Sequence, residues 1–337
     1  MNSYPLNIKT PDNLEERYTE PKGFRWHSFT RGGRHIRFGS CFPQDSIPDA
    51  VIVVLPGLSE FGEKYYELAR NLNDVNLAFW VIDWMGQGGS GRYLSNPDIR
   101  HAASFDEDVE DLHYLIMEYI KHSSVHPDKG RIPMAMLGHS MGGNIGLRYM
   151  QKYPDIFECA AFSAPMMGIR EIDKIPTPLA LAITGIFNAL MSRSYAFGQK
   201  NWHENDRSNP GHDAFSHDAQ RGALHPHWQI KNPELRLGGV SFGWVYAALK
   251  SCLYVQEDMP LLQKDILVGY AGHDKIVSNK AIKDTFSALP HVTLKEYPDA
   301  QHEILMEADT TRSAFLNDFY HLIQKTIIDK PETLKPF

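Results

Sequence analysis

Gly138-His139-Ser140-Met141-Gly142 places a serine between two glycines, after the apolar run 133–137 (PMAML) and before the helix-like stretch 142–153 (GGNIGLRYMQKY). A serine on a sharp strand-to-helix turn is exposed for nucleophilic attack, and side chains at the flanking glycines would block the tight backbone approach. Such a serine needs a base and an acid that orients it, in the chain order Ser, Asp, His on this kind of scaffold. The run 266–270 is followed by Ala-Gly-His-Asp274, and the run 292–297 by Pro-Asp-Ala-Gln-His302. Asp274 is therefore the expected orienting acid and His302 the expected general base, with Asp265, Asp299 and His273 as the nearest competitors. Two backbone N–H groups should hold the oxyanion. The sequence assigns them to Met141, which follows the nucleophile, and to Leu58 in the loop Pro56-Gly57-Leu58-Ser59 after the first long apolar run.

The elements that must position these residues follow from hydrophobic patterning. Runs 51–55 (VIVVL), 77–82 (LAFWVI), 133–137, 156–162, 266–270 and 292–297 are short, and most are continuously apolar. That pattern fits a parallel sheet covered on both faces. Between them, Ser104-Phe-Asp-Glu107 reads as a capping box ahead of a helix with Phe105, Val109, Leu112, Ile116 and Tyr119 on one face. Asp309 is expected to cap a last helix with Phe315, Phe319, Leu322 and Ile323 as its stripe. The fold class is α/β, a mostly parallel doubly wound sheet. The alternation breaks over 166–252, a stretch rich in His, Asn, Pro and Trp. It divides the 337 residues into a core part at 1–165, an inserted helical cap at 166–252 and a second core part at 253–337.

Other patterns point away from alternative chemistries. Gly86-Gln-Gly-Gly-Ser-Gly91 fits a dinucleotide fingerprint, but no helix opens directly after it, as such a site requires. His302-Glu303 lacks the second histidine of a zinc protease, and His203, His212, His217, His225 and His227 have no standard ligand spacing, so neither metal nor cofactor is expected. A net charge of -7 lacks the electrostatic footprint of a nucleic-acid binder. Three dispersed cysteines suggest a reducing compartment. The opening segment is polar and no apolar run reaches the roughly 18 residues of a membrane span. The expected location is cytoplasmic, peripheral at most on the inner membrane face.

The runs PGLSEFGEKYYELARNL, DWMGQGGSGR, GHSMGG, SAPMMGI, AGHDKIV and QHEILME together resemble the lysophospholipase L2 and monoacylglycerol lipase branch of the α/β-hydrolase superfamily. The stretch NPELRLGGVSFGWVYAAL resembles a cap segment of the lysophospholipase L2 group. The resemblance covers roughly 25–325. It departs from the family pattern at Pro56, where a histidine usually precedes the glycine, and at Trp84, often histidine in the family.

The resemblance implies an α/β-hydrolase fold, a cap over the site, and a serine hydrolase acting on a small-molecule lipid ester. Leu179, Ile183 and Phe187 are the candidate substrate contacts in the cap, in a segment apolar enough to line an acyl channel, touch a membrane interface, or simply pack on the core. Over 166–252, nine Lys and Arg against seven Asp and Glu give the cap a charge of +2. Three other readings stay open, one of them a generic carboxylesterase on the same fold. An aminopeptidase of the prolyl type would grip a free amine with Glu204, Asp206, Asp213 and Asp218, and a non-catalytic binding protein would keep the fold alone. Oligomeric state is not legible.

Overall fold

A computed structural model describes residues 6–126, 130–207 and 209–330, so the start of the polar opening segment and the end of the second core part lie outside the described residues. The chain opens with an antiparallel hairpin, β1 (Arg25–Arg31) and β2 (Arg34–Cys41). Gly32 and Gly33 turn it, with φ of 54° and 81°, where a side chain would be strained. Then follow β3 (Ala50–Leu55), α1 (Tyr66–Asp74), β4 (Leu77–Ile82), α2 (Asp106–Leu115), β5 (Met134–His139), α3 (Ser140–Lys152) and β6 (Cys159–Ser163). The insertion holds α4 (Thr177–Met191), α5 (Ala219–Lys231) and the start of α6 (Phe242–Asp258). The chain closes with β7 (Asp265–Ala271), α7 (Asn279–Phe286), β8 (Val292–Tyr297) and α8 (Asp309–Ile323).

The eight strands form one sheet in the order β1-β2-β4-β3-β5-β6-β7-β8, parallel from β4 onward. Successive residues of a strand face opposite sides. Val51, Val53, Met136 and Val268 therefore join one core layer with α2, α3, α6 and α7, while Ile52, Val54, Leu137 and Leu267 join another with α1 and α8. Register brings the loops together: Leu55 pairs with Gly138, His139 with Ser163, and Ala271 with Tyr297. The carboxyl ends of β3, β5, β6, β7 and β8 thus share one edge of the sheet, which is where open α/β sheets place their sites.

Several expectations are corrected. Helix α2 starts at Asp106, because the Val109 N–H bonds the Phe105 carbonyl; Ser104 Oγ accepts the Asp106 N–H at 3.1 Å in a local turn, and Glu107 pairs with Arg34 rather than closing a capping box. Asp309 caps nothing: it is the first helical residue, and its carboxylate pairs with Arg221. The strand expected from 156 begins at Cys159, after a turn that follows Tyr153. The expected cap boundary at 252 falls inside α6, which packs Trp244, Ala247, Ala248 and Cys252 into the core layer on the α3 side. The insertion also sends Leu224 and Trp228 of α5 into the other layer. All three cysteines are buried free thiols.

Candidate active site

The turn from β5 into α3 holds Ser140 at φ 50°, a strained conformation for a residue with a side chain. The glycines around it are required by contact. A Cβ on Gly142 would meet the Leu55 and Pro56 carbonyl oxygens at 2.2 and 2.4 Å, and one on Gly138 would meet Gly143 Cα and the Phe162 ring at 2.9 Å each. We expect Gly142→Ala to destabilise the protein by roughly 1–3 kcal/mol, because overpacking against backbone outweighs the ~1 kcal/mol that alanine gains over glycine in a helix. Urea denaturation checks the sign; a raised midpoint would contradict it. Any chemistry at Ser140 should also be impaired, because the displaced carbonyls belong to the loop that faces it.

Ser140, His302 and Asp274 form one hydrogen-bonded chain. His302 Nε2 lies 2.9 Å from Ser140 Oγ, and His302 Nδ1 lies 2.8 Å from Asp274 Oδ2. A carboxylate only accepts, so Nδ1 carries the proton and Nε2 presents its lone pair to the serine hydroxyl. The other carboxylate oxygen, Asp274 Oδ1, accepts the Ile276 and Val277 N–H groups at 2.8 and 3.0 Å. Burial alone would raise the Asp274 carboxyl, but His302 and these two amides hold it below its ordinary value. Burial likewise disfavours the imidazolium, yet Asp274, Glu303 and Glu60 outweigh it and the His302 pKa lies above its ordinary value. Among the competitors, Asp265 sits at the opposite end of β7, near Lys325, and His273 is exposed.

The loop after β3 is clamped around a single amide. Gly57 N–H is bonded by Glu60 Oε2 and Ser59 N–H by Gln87 Oε1, leaving the Leu58 N–H between them. Met141 N–H belongs to the first turn of α3, where no carbonyl lies four residues back to accept it. Both Leu58 and Met141 border the same cavity as Ser140. Sequence reasoning missed the residues that hold this loop. Trp84, fully buried, donates from Nε1 to the Pro56 carbonyl at 2.8 Å. Gln87 Nε2 donates to the Gly57 and Glu60 carbonyls. The glycine-rich loop that imitates a dinucleotide motif instead wraps a carboxylate of its own chain. Gly89 N–H bonds Asp83 Oδ2, and a Cβ on Gly88 would lie 2.4 Å from Asp83 Cγ.

Behind the site runs a chain of buried ion pairs. Lys64 Nζ lies 2.6 Å from Glu60 Oε1 and 2.7 Å from Glu303 Oε2, and Tyr65 OH donates to Glu60 Oε2 at 2.6 Å. Arg207, from the insertion, reaches Glu303 Oε1 at 3.1 Å. Burial alone would raise the Glu303 carboxyl, but Arg207 and Lys64 hold it well below the ordinary range.

Ser140 opens into a cavity of about 510 Å³. Its buried lining includes Met141, Met166, Leu237, Trp244 and Val277, whereas Glu171, Lys200, Glu204 and Lys275 on its border are exposed. Glu60, His139, His225, Gln229 and Glu303 are also buried in the lining, so the interior is apolar on one part and polar on another, and the mouth is charged. Leu179, Ile183 and Phe187 do not line it. Leu179 and Ile183 face outward from α4, and Phe187 stacks on Phe242 with ring centroids 4.9 Å apart. Helix α4 meets α6 along one side only, which leaves most of its apolar residues exposed. Among the described residues, no group of three His, Cys, Asp or Glu side chains is placed to hold a metal ion.

The sequence profile of the family described as serine aminopeptidase, S33, matches residues 46–309. Lysophospholipase L2 of Escherichia coli (strain K12) is 30% identical over 287 residues, 81% of each chain. Monoacylglycerol lipase of Mycolicibacterium smegmatis is 26% identical over 287 residues, covering 84% of this chain and 91% of that one. Among solved structures, a monoglyceride lipase from Saccharomyces cerevisiae superposes with a TM-score of 0.68 at 17% identity, over 96% of this chain and all of that one. A carboxyl esterase from Bacillus coagulans gives 0.71 at 17% identity, over 91% of this chain and 100% of that one. Both structures share the fold.

Proposed function

Because the chain belongs to the serine aminopeptidase S33 family, in its lysophospholipase L2 and monoacylglycerol lipase-like branch of the α/β-hydrolases, we propose that it is a serine hydrolase of single-chain lipid esters. The observation that carries this reading is the Ser140–His302–Asp274 hydrogen-bonded chain in a cavity with a partly apolar interior and a charged mouth. Ser140 Oγ attacks the ester carbonyl and passes its proton to His302 Nε2. The Leu58 and Met141 N–H groups hold the oxyanion. His302 gives the proton to the leaving alcohol, which departs and leaves an acyl-serine. Water then loses a proton to His302, attacks the acyl carbon, and releases a fatty acid as the proton returns to Ser140. The apolar part of the lining, Met141, Met166, Leu237, Trp244 and Val277, suits one acyl chain, and the charged mouth suits a polar head. The insertion, closing over this cavity, acts as the substrate-selecting cap.

The test is one substrate panel run on wild type and Ser140→Ala: a lysophospholipid, a monoacylglycerol, short and long aryl esters, and an N-terminal proline amide. Turnover of the single-chain lipids, lost in the variant, is expected. Preference for the proline amide would establish the aminopeptidase reading instead. Of the acids that reading needs, two are committed elsewhere and Asp206 has a surface pair, while Glu204 stands exposed at the cavity mouth. Asp206 pairs with Lys200, Asp213 binds the Phe215 and Ser216 amides, and Asp218 caps α5.

Helix α4 extends the same reading to the membrane. Leu179, Ile183, Ile186, Leu190 and Met191 are exposed, with Lys174 and Arg193 flanking the helix. No described helix is long and apolar enough to cross a membrane. We infer that this face rests on a phospholipid surface, as an exposed apolar helix face does, with Glu171 and Asp173 giving its edge a mixed charge beside Lys174 and Arg193. Ile186→Ser/Leu190→Ser should lose most sedimentation with phospholipid vesicles and keep wild-type turnover of a soluble short ester. Failure of the wild type to sediment would overturn the inference.

A further inference from the structure

The insertion is fastened to the loop that bears His302. Ala214 and Phe215 accept hydrogen bonds from the His302 and Glu303 N–H groups, at 3.5 and 2.8 Å. Asp213 Oδ1 binds the Phe215 and Ser216 amides, Ser216 Oγ donates to the Met306 carbonyl at 2.6 Å, and Glu307 accepts the His217 N–H at 3.0 Å. Arg221 follows, bonded to Glu67, to the Glu307 carbonyl and to Asp309. The whole segment 213–221 thus lies along 302–309. At its head stands Arg207. Its guanidinium stacks 3.9 Å over the Phe215 ring, reaches Glu303 Oε1 at 3.1 Å and lies 3.6 Å from Asp213. Glu303 is the neighbour of His302 in sequence, and its other oxygen is held by Lys64, which also binds Glu60. Glu60 in turn binds the Gly57 N–H, beside Leu58. One string of charges therefore runs from the insertion, past the base, to the loop that carries an oxyanion donor.

We propose that Arg207 is a positioning residue: through Glu303 it sets the loop that places His302 against Ser140, so that Arg207 and residues 213–221 of the insertion are a fixed wall of the catalytic centre. The proposal rests on the hydrolase reading above. A buried carboxylate between two cations is held in one geometry only while both are present. Without Arg207, Glu303 keeps Lys64 alone and is drawn toward it, and the loop that follows β8 moves with it. Displacements near 1 Å at reacting groups cost on the order of 100-fold in rate.

The experiment uses a soluble short aryl ester, which does not depend on lipid binding, and compares wild type, Arg207→Met, Arg207→Lys, Glu303→Gln and the double variant Arg207→Met/Glu303→Gln. Arg207→Met is expected to lower kcat about 10- to 100-fold with little change in KM, and Arg207→Lys to recover most of it. The double variant should be no slower than Arg207→Met, since the two residues act as one unit.

The pH profile supplies a readout that packing alone would not move. His302 must be neutral to act as a base. The groups that face it are Asp274, Glu303, Glu60 and His139, while Lys64, Arg207, His225 and His139 face Glu303. Removing the Arg207 cation leaves the Glu303 charge less balanced, so the acid limb of kcat should move to higher pH in Arg207→Met, stay in place in Arg207→Lys, and move to lower pH in Glu303→Gln. An unchanged kcat in Arg207→Met, or an effect confined to KM, overturns the proposal, the latter making Arg207 a substrate contact. If Arg207→Met fails to fold, a folded Glu303→Gln with the kcat and the acid limb of wild type overturns it equally. Should Ser140→Ala retain full activity, the hydrolase reading fails by itself, whatever Arg207 does.

Discussion

Ser140→Ala is expected to lower ester turnover by on the order of 10⁶-fold and to abolish labelling by a fluorophosphonate. In the proposed mechanism the serine oxygen is the atom that becomes acylated, so no neighbour substitutes for it. What survives is whatever rate the oxyanion donors and the cavity supply to water, and those groups are backbone amides of Leu58 and Met141 that the substitution leaves alone. The fold should be unaffected. Ser140 is buried, and its hydroxyl bonds His302 but no structural group of the described chain. The strain of φ 50° is the same for alanine. A thermal midpoint near that of wild type, together with loss of both turnover and labelling, is the expected pair of results. Labelling that persists in the variant would place the nucleophile elsewhere.

Asp274→Asn is expected to cost about 10⁴-fold in kcat without disturbing the cavity. Asp274 Oδ1 is committed to the Ile276 and Val277 amides, and an asparagine can serve them only with its carbonyl oxygen. Its NH₂ then faces His302 Nδ1, which must accept rather than donate. The imidazole proton moves to Nε2, pointing at Ser140, and the ring can no longer take the serine proton. Stability should change with a defined sign. A carboxyl held below its ordinary pKa stabilises the fold above its unfolded-state pKa and loses that contribution as the pH falls through the folded-state value. The gap between wild type and Asp274→Asn in urea midpoint should therefore be wide at neutral pH and shrink on acidification. A kcat within tenfold of wild type would remove Asp274 from the mechanism.

Much of this arrangement was legible in the sequence because it depends on local patterns. The strand at 292–297 and the one at 77–82 begin and end where their apolar runs do. The Ser, Asp and His candidates stand on loops whose place follows from strand order alone. The N-terminal hairpin was missed although Gly32-Gly33 marks its turn, because β1 carries Arg25, His27 and Arg31 and reads as a polar segment until β2 pairs with it. Helix α4 was legible as an apolar stretch, but its orientation was not: periodicity cannot say whether Leu179 and Ile183 meet a cavity or solvent. The supports of the loop 56–59 were not legible either. Trp84 and Gln87 act on Pro56 and Gly57 across roughly 30 positions of chain, and nothing in local spacing distinguishes such a contact. The same holds for Arg207 and Glu303, which only the docking of the insertion brings together.

The buried thiols give the molecule three internal reporters of opening. Burial raises the Cys41 pKa to about 11, and those of Cys159 and Cys252 to about 12, so the reactive thiolate is scarce in the closed state. Each lies in a different part of the structure: Cys41 ends β2, Cys159 starts the inner strand β6, and Cys252 sits in α6 behind the insertion. Alkylation rates, resolved by site, would therefore rank the breathing of the second strand, an inner strand and the insertion base in a single sample, without any engineered label.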